Sequence, residues 1–193
     1  MKLRRFVGRA VSALTLLAVP IAVAGHPGAQ PQAQQQTPRA CSEIDGFQRL
    51  DFWLGDWKVV GPDGSPQGTN RIEKVLDGCA IVERWSGEGG GRGMSLFYFN
   101  ALNRTWKQVW VTSRATVAGA LKEKQLIEEL PGGGVRFQGV IVLADGRSIL
   151  DRTTLTPLAD GRVRQVIEWS RDGGVNWTES FHGVYERSDD HDG

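Results

Sequence analysis

The sequence predicts an all-β domain, an antiparallel up-and-down β-barrel of about nine to ten strands, and three observations support this. Short segments with the residue types and the period of two of β-strands follow one another after Leu54. Asp-Gly and similar turn pairs separate them, as tight hairpins require. The connections leave no room for the crossover helices that parallel strands need, so the strands must be antiparallel. Closure into a barrel removes exposed sheet edges, and a β-sandwich is the alternative.

The first 24 residues have the organisation of a secretory signal peptide. Basic residues at the start precede an apolar run over 10–24 that Pro20 interrupts, and the run ends in a small-residue cleavage pattern, Ala22-Val23-Ala24. The run is shorter than the ~20 residues that a transmembrane helix needs, and no second apolar run follows. We therefore expect an exported protein, periplasmic or extracellular, with no membrane span.

The rest of the chain divides into three parts. Residues 25–40 hold almost no apolar side chain to offset the entropy of ordering, so we expect a disordered leader there, a barrel domain at 41–188 and a flexible tail at 189–193. Residues 1–24 hold four of the 23 basic residues and none of the 22 acidic ones, so their removal leaves a net charge of about −3. With this balance we do not expect nucleic acid or an anionic membrane surface as a partner, because both need a clustered positive face. The expected partner is a small molecule, and the chain is expected to be a monomer or a weak homodimer.

Cys41 and Cys79 are the only two cysteines of the chain. An exported chain meets an oxidising compartment in which paired thiols form disulfides, so we predict a bridge between Cys41 and Cys79. The bridge closes a loop of nearly forty residues, for which the chain-entropy model gives roughly 4 kcal/mol of stabilisation as an upper value. Two separate buried thiols are the alternative.

One or two helical turns are predicted over 42–50, where Ile44, Phe47 and Leu50 recur at every third residue. Strand segments follow, bounded by turns such as Asp77-Gly78. The predicted strand segments are 55–60, 69–76, 79–86, 94–99, 106–112, 116–121, 125–130, 135–143, 148–155, 163–170 and 177–187.

The segment Gly55-Asp56-Trp57 resembles the G-x-W start of the first strand in lipocalin-type barrels. In that superfamily the tryptophan packs across the closed end of the barrel, commonly against an arginine near the last strand. The resemblance implies structural roles for Gly55 and Trp57, with Arg187 as the candidate for the arginine.

A longer set of segments, beginning with the D-F-W-L-G-D-W motif, is similar to an uncharacterised bacterial family of exported lipocalin-like domains, a domain of unknown function. The similar segments are 51–57, 77–79, 83–85, 106–111, 154–158, 160–165, 172–177 and 181–185. The resemblance covers nearly all of the chain after the signal peptide. It implies a barrel and export but brings no active site. One position departs from the family, because His182 stands before Gly183, where an acidic residue is expected.

Alternation along a strand sends every second side chain to the same face. On two predicted strands, one face carries both a polar residue and a tryptophan. These are Glu83 and Trp85 on the first strand, and Gln108 and Trp110 on the second. Either both sets line one polar and aromatic cavity, or the tryptophans fill the core while Glu83 and Gln108 face water. A barrel of eight strands has room for one small ligand, so ten strands leave a cavity unless bulky side chains fill it. This favours a cavity with these four residues as ligand-binding residues.

Arg152 and Glu168 complete the predicted ligand-binding set. Alternation alone does not decide which face of their strands points inward. Inside the barrel, Arg152 would orient the ligand and pair with Glu83 or Glu168, because an unpaired buried charge is costly. Surface ion pairs are the alternative. If Glu83 and Glu168 faced one another, they would form a general acid and base pair.

The sequence shows no cluster with metal-ligand spacing and no set of nucleophile, base and orienting group, so no metal site, cofactor or catalytic residue is predicted. His182 is the only histidine within the folded segment. A lone histidine is either inert or the proximal ligand of a haem, as in the barrel-shaped nitrobindins, which the chain resembles in architecture.

The sequence thus favours an exported barrel that binds a small, largely apolar or aromatic molecule in its interior. The alternatives are an enzyme that uses Glu83 and Glu168, and a filled barrel that acts as an interaction module of the cell envelope. A cavity lined by the two polar residues and two tryptophans favours binding. A packed interior with an exposed apolar patch favours the interaction module.

Overall fold

Ten antiparallel strands close into one barrel in the computed structural model, which describes residues 39–114 and 118–188. Each strand pairs with its neighbours along the chain, and the last strand pairs with the first. In chain order the strands are β1 (Gly55–Val60), β2 (Pro66–Val75), β3 (Ala80–Gly87), β4 (Arg92–Asn100), β5 (Thr105–Thr112), β6 (Leu121–Glu129), β7 (Val135–Val142), β8 (Ser148–Pro157), β9 (Val163–Ser170) and β10 (Thr178–Arg187). The predicted all-β up-and-down barrel is confirmed, and the β-sandwich is wrong.

The helical elements of the described ranges are three 3₁₀ turns, Cys41–Glu43, Asp51–Trp53 and Pro131–Gly133. The first two lie on either side of a run of turns, so the helical turns predicted before β1 are present with shifted bounds. Within residues 39–114 and 118–188, no helix has the length and apolar character needed to cross a bilayer.

The strand segment predicted over 116–121 is wrong. Residues 118–120 form a turn in which Gly119 has a φ of 77°, a backbone conformation outside the β region, while 116 and 117 lie outside the described residues. β6 begins at Leu121 and pairs with Val111 of β5 from that residue, so it starts before the predicted 125.

Three further predictions concern parts of the chain that lie mostly outside the described residues. These are the signal peptide at 1–24, the leader at 25–40 and the tail at 189–193.

One end of the barrel, where β1 begins and β10 ends, is filled by apolar side chains, and we call it the closed end. Its aromatic rings meet edge to face, with the centroid of Trp53 at 5.6 Å from that of Phe97 and 5.9 Å from that of Tyr185. The buried apolar cluster consists of Phe47, Leu50, Trp53, Trp57, Val59, Ile72, Ile81, Phe97, Phe99, Trp106, Val135, Phe137, Leu155, Val163 and Tyr185. The turns before β1 also pack here, because Trp106 Nε1 donates a hydrogen bond of 2.8 Å to the Gly46 carbonyl oxygen.

Trp57 and Arg187 meet at the closed end, in the arrangement that the lipocalin resemblance implies. The Arg187 guanidinium lies 4.0 Å from the centroid of the Trp57 ring, and its Nη1 donates a hydrogen bond of 2.7 Å to the Leu54 carbonyl oxygen. Gly55 has a φ of 132°, and a Cβ atom at this position would overlap Nη1 of Arg187. The backbone conformation therefore favours glycine at 55, and a side chain there would displace the Arg187 guanidinium from this position.

The predicted disulfide between Cys41 and Cys79 is confirmed, with the two Cα atoms 5.1 Å apart. Cys41 opens the first 3₁₀ turn, and Cys79 immediately precedes β3. The bridge therefore ties the segment before the first strand to the start of the third.

We expect the double substitution Cys41→Ser and Cys79→Ser to lower the free energy of unfolding by up to roughly 4 kcal/mol, because the unfolded chain regains the entropy of an open loop. Urea denaturation measures the loss. Wild-type protein under reducing conditions is the control and should show the same loss. An unchanged unfolding midpoint in both samples would contradict the prediction.

Candidate functional site

The half of the interior away from the closed end contains a cavity of about 500 Å³. Its wall is aromatic on several sides, and polar and charged side chains lie at its base. The aromatic lining residues are Trp85, Trp110, Trp169 and Phe181. The polar and charged ones that matter most are Glu83, Gln108, Lys122, Lys124, Thr153 and Gln165.

The four residues predicted on β3 and β5, Glu83, Trp85, Gln108 and Trp110, all line this cavity. Trp85 meets Phe181 of β10 edge to face, with ring centroids 5.9 Å apart. A Cβ atom at position 93, which is Gly93 in this chain, would overlap the Trp110 ring, so the missing side chain makes space for the indole. Of the two alternatives for these residues, the structure shows the first, in which all four line a polar and aromatic interior.

A belt of buried polar side chains, one from each of eight strands, lies between the apolar cluster and the cavity, and we call it the polar layer. It consists of Asn70, Glu83, Ser95, Gln108, Lys124, Thr153, Gln165 and Tyr185. Buried polar groups are costly unless they are hydrogen-bonded. The geometry of the polar layer is therefore set by its internal hydrogen bonds.

Glu83 is held by neutral donors. Asn70 Nδ2 donates to Oε1 at 2.8 Å and the Ser95 hydroxyl donates to Oε2 at 2.6 Å, while Gln108 Nε2 donates to Ser95 Oγ at 3.0 Å. Burial raises the pKa of Glu83, against the opposing effect of the two hydrogen bonds and of nearby Lys124. The protonated form of this carboxyl is therefore favoured relative to an exposed glutamate.

Tyr185 of β10 continues the same network through Asn70. Its hydroxyl donates to Gln165 Oε1 at 2.5 Å and accepts from Asn70 Nδ2 at 3.2 Å. Burial, together with the charge of Glu83, holds the pKa of Tyr185 well above that of a free tyrosine. The phenol is therefore a neutral donor at physiological pH.

Two lysines on the opposite wall share a single carboxylate, and we call Lys122, Lys124 and Asp151 the two-lysine site. Lys122 Nζ lies 2.8 Å from Asp151 Oδ2, and Lys124 Nζ contacts the other oxygen, Oδ1. Trp169 Nε1 donates to Oδ2 at 2.8 Å, and Lys124 Nζ also donates to the Thr153 hydroxyl. The arrangement places two ammonium groups beside an aromatic wall.

Register explains how Lys124 reaches Asp151. Lys124 on β6, Gly139 on β7 and Asp151 on β8 lie directly opposite one another. Strands are ~4.8 Å apart, so the Lys124 and Asp151 side chains together must span about 10 Å across the middle strand. A Cβ atom at position 139 would overlap the Glu123 carbonyl oxygen and lie 3.1 Å from Lys124 Cγ. Glycine at this position therefore leaves room for the extended Lys124 side chain.

Burial lowers the pKa of Lys124 from 10.5 to about 8. The Asp151 carboxylate and Glu83 oppose this effect, and the neighbouring charge of Lys122 adds to it. Desolvation therefore outweighs the ion pair, and the Lys124 ammonium is present at neutral pH but less stable than on the surface.

Arg152 and Glu168 do not line the cavity, which corrects the prediction that they act inside the barrel. Asp151 and Thr153 point inward on β8, so Arg152 between them points outward. On the outer face Arg152 Nε and Nη2 donate to the two Glu168 oxygens at 2.7 and 2.9 Å, and the guanidinium lies 3.9 Å from the centroid of the Trp177 ring. The surface ion pair, the alternative for these residues, is what forms, and Arg152 lowers the pKa of Glu168.

His182 also lies away from the cavity lining. Its Nδ1 is 3.2 Å from Glu179 Oε2, and it alternates with Phe181, which lines the cavity. The arrangement gives no support to ligation of a haem inside the barrel. Within 39–114 and 118–188, no group of three or more His, Cys, Asp and Glu side chains is placed to hold a metal ion.

Sequence reasoning missed the two-lysine site. Every second residue of β8 gives Ile149, Asp151, Thr153 and Leu155. The apolar residues at both ends of this series are buried, which marks its side of the strand as the inward face. This signal identifies Asp151 as an interior carboxylate.

No protein-family model matches the chain, and no curated protein matches it. The family resemblance of the D-F-W-L-G-D-W motif therefore stays a prediction. The function is inferred from the interior of the barrel.

We expect Gly139→Ala to lower the free energy of unfolding by roughly 1–3 kcal/mol, because the new methyl group meets backbone that cannot move freely. Gly89→Ala is the matched control, since a Cβ atom there has no neighbour within 4 Å. Urea denaturation compares the two variants. Equal unfolding midpoints would show that position 139 has room for a side chain.

The lowered pKa of Lys124 makes the free energy of unfolding depend on pH in a definite direction. Between pH of about 8 and 10.5 the unfolded chain binds the proton that folded Lys124 has lost, so the contribution of this lysine to stability rises with pH. We expect the unfolding free energy of the wild type minus that of Lys124→Met to increase across this window by up to roughly 3 kcal/mol. Lys58→Met, which removes an exposed lysine, is the control. A constant difference would contradict the assignment.

Proposed function

We propose that this protein is an exported binding barrel that holds a small, largely apolar or aromatic molecule in its interior. The observation that carries the proposal is the cavity of about 500 Å³ with Trp85, Trp110 and Trp169 in its wall. Ligand sites in proteins have volumes of about 300–1,000 Å³ and combine apolar walls with a few polar groups. The signal-peptide pattern and the Cys41–Cys79 disulfide support a periplasmic or extracellular location.

The polar groups at the base of the cavity support a bound ligand. Gln108 is buried and donates to Ser95, and its Oε1 has no hydrogen-bond partner among the described residues. An unpaired buried acceptor costs free energy that a ligand donor would offset. The ligand therefore combines an apolar or aromatic body with polar groups.

The two alternatives receive less support. Glu83 lies in the interior and Glu168 on the outer face, so the two carboxyl groups do not face one another as an acid and base pair must. The filled barrel requires a packed interior. The outer face of β4 to β7 does expose apolar side chains such as Met94, Val111 and Leu121, but the interior has a cavity.

We also propose that the chain is a member of the exported lipocalin-like family that its motifs resemble. The contact between Trp57 and Arg187 supports this, because it is the closed-end geometry that the resemblance implies.

The neutral fluorophore N-phenyl-1-naphthylamine tests the proposed cavity. We expect wild-type protein to bind it with increased fluorescence, and Thr112→Phe to weaken binding at least roughly tenfold, because the new ring enters the cavity. Thr112 is the last residue of β5 and lines the cavity.

Val111→Phe is the matched control, because it adds the same ring one residue away on the exposed outer face. It should bind like the wild type. If the wild type neither binds the fluorophore nor melts at a higher temperature in its presence, the proposed function is wrong.

A further inference from the structure

We propose that the ligand is an amphipathic anion, an apolar or aromatic carboxylate whose charged group lies against Lys122 and Lys124. The inference rests on the proposed function and names the class of molecule that the cavity selects. Three features support this class of ligand: the charge of the two lysines, their unused N–H donors and the position of the aromatic wall.

The two-lysine site carries more positive than negative groups. Two ammonium groups meet one carboxylate, and the side chains of Lys122, Lys124 and Asp151 are 12%, 2% and 0% exposed. A buried charge without a counter-charge is strongly unfavourable. The site therefore has one positive charge in excess and would gain from a bound anion.

Glu83 forms no ion pair with either lysine among the described residues. Its two oxygens accept hydrogen bonds from Asn70 and Ser95, both neutral. Burial also raises its pKa above that of an exposed glutamate. Within the described residues, Asp151 is therefore the carboxylate that contacts the two ammonium groups.

The two lysines have more hydrogen-bond donors than the described residues use. Each ammonium carries three N–H donors. The contacts of the described residues to Asp151 and Thr153 use three of the six. Both lysines line the cavity, so the remaining donors are available to an acceptor inside it. A carboxylate presents two acceptor oxygens and forms charge-assisted hydrogen bonds with ammonium groups.

The aromatic wall of the cavity lies directly beside the two lysines. Lys122 lies directly opposite Trp110 on the neighbouring strand, and Trp169 donates to the Asp151 carboxylate that both lysines contact. A molecule whose carboxylate meets the lysines therefore has its body between tryptophan rings. A small hydrophilic anion would leave that aromatic surface without a partner.

Isothermal titration calorimetry with a matched pair of probes tests the inference. The probes are 2-naphthoate and its neutral isostere 2-naphthamide, with acetate as an anion that lacks the aromatic body. We expect the wild type to bind 2-naphthoate at least roughly tenfold more tightly than 2-naphthamide, and acetate much more weakly than either.

Lys122→Met removes one ammonium and keeps the apolar stem of the side chain. We expect it to abolish the preference for 2-naphthoate while 2-naphthamide binds as before. Lys58→Met, at an exposed position on β1, is the matched control and should keep the preference.

A pH series on the wild type gives a test that needs no variant. The charged groups that face Lys124 are Asp151 on β8, Lys122 on β6 and Glu83 on β3. Loss of the Lys124 ammonium above a pH of about 8 should weaken binding of 2-naphthoate and leave 2-naphthamide unchanged.

The outcomes separate the two proposals. Equal affinity of the wild type for the two naphthalene probes, or acetate binding as tight as 2-naphthoate, overturns the anionic ligand and leaves the binding barrel standing. Binding of the neutral fluorophore without binding of either naphthalene probe also overturns the anionic ligand alone. Failure of all probes, the fluorophore included, overturns both.

Discussion

A closed sheet of ten strands encloses more space than its own side chains fill, and the rest of this structure depends on that constraint. At the closed end, the chain fills the space with rings such as Trp53 and Trp57 and with the turns that precede β1. The Cys41–Cys79 bridge fixes those turns to the barrel. Away from that end, tryptophans line the wall and leave about 500 Å³ open. Packing at one end thus defines the cavity at the other.

The polar layer lies between these halves and meets the two-lysine site at Lys124, and the polar groups on the two walls have different properties. On one side Glu83 accepts hydrogen bonds from neutral groups, which fix its position, while burial raises its pKa. On the other side Lys122 and Lys124 converge on Asp151, and their donors outnumber the acceptors that they contact. Both oxygens of Glu83 have donors within the protein, while Gln108 Oε1 beside them has no partner among the described residues. The proposed anion would give the two lysines a further acceptor on the other wall.

The strands, the closure, the disulfide and the contact of Trp57 with Arg187 could be predicted from the sequence, because turns, cysteines and the G-x-W motif are local signals. The inward position of Trp85 and Trp110 could also be predicted, because side chains alternate along a strand and a barrel of ten strands is wide enough to hold a cavity. Arg152 and Glu168 were misplaced, since a period of two defines two faces without saying which points inward. The link between Lys124 and Asp151 depends on the register of three strands, and no local pattern contains it.

Gly139 connects the fold to the chemistry of the cavity. Glycine in a strand interior weakens the strand and often marks a place where another group approaches closely. Here the group is the Lys124 side chain, which crosses the strand to reach Asp151 and is desolvated there. That desolvation lowers the pKa of Lys124 to about 8, so this lysine loses its proton in mildly alkaline solution. The proposed anion, bound beside the ammonium, would favour the protonated form, and by thermodynamic linkage its binding would take up protons in that range. The absence of a side chain at position 139 would thus couple the affinity for such an anion to the protonation of one buried lysine.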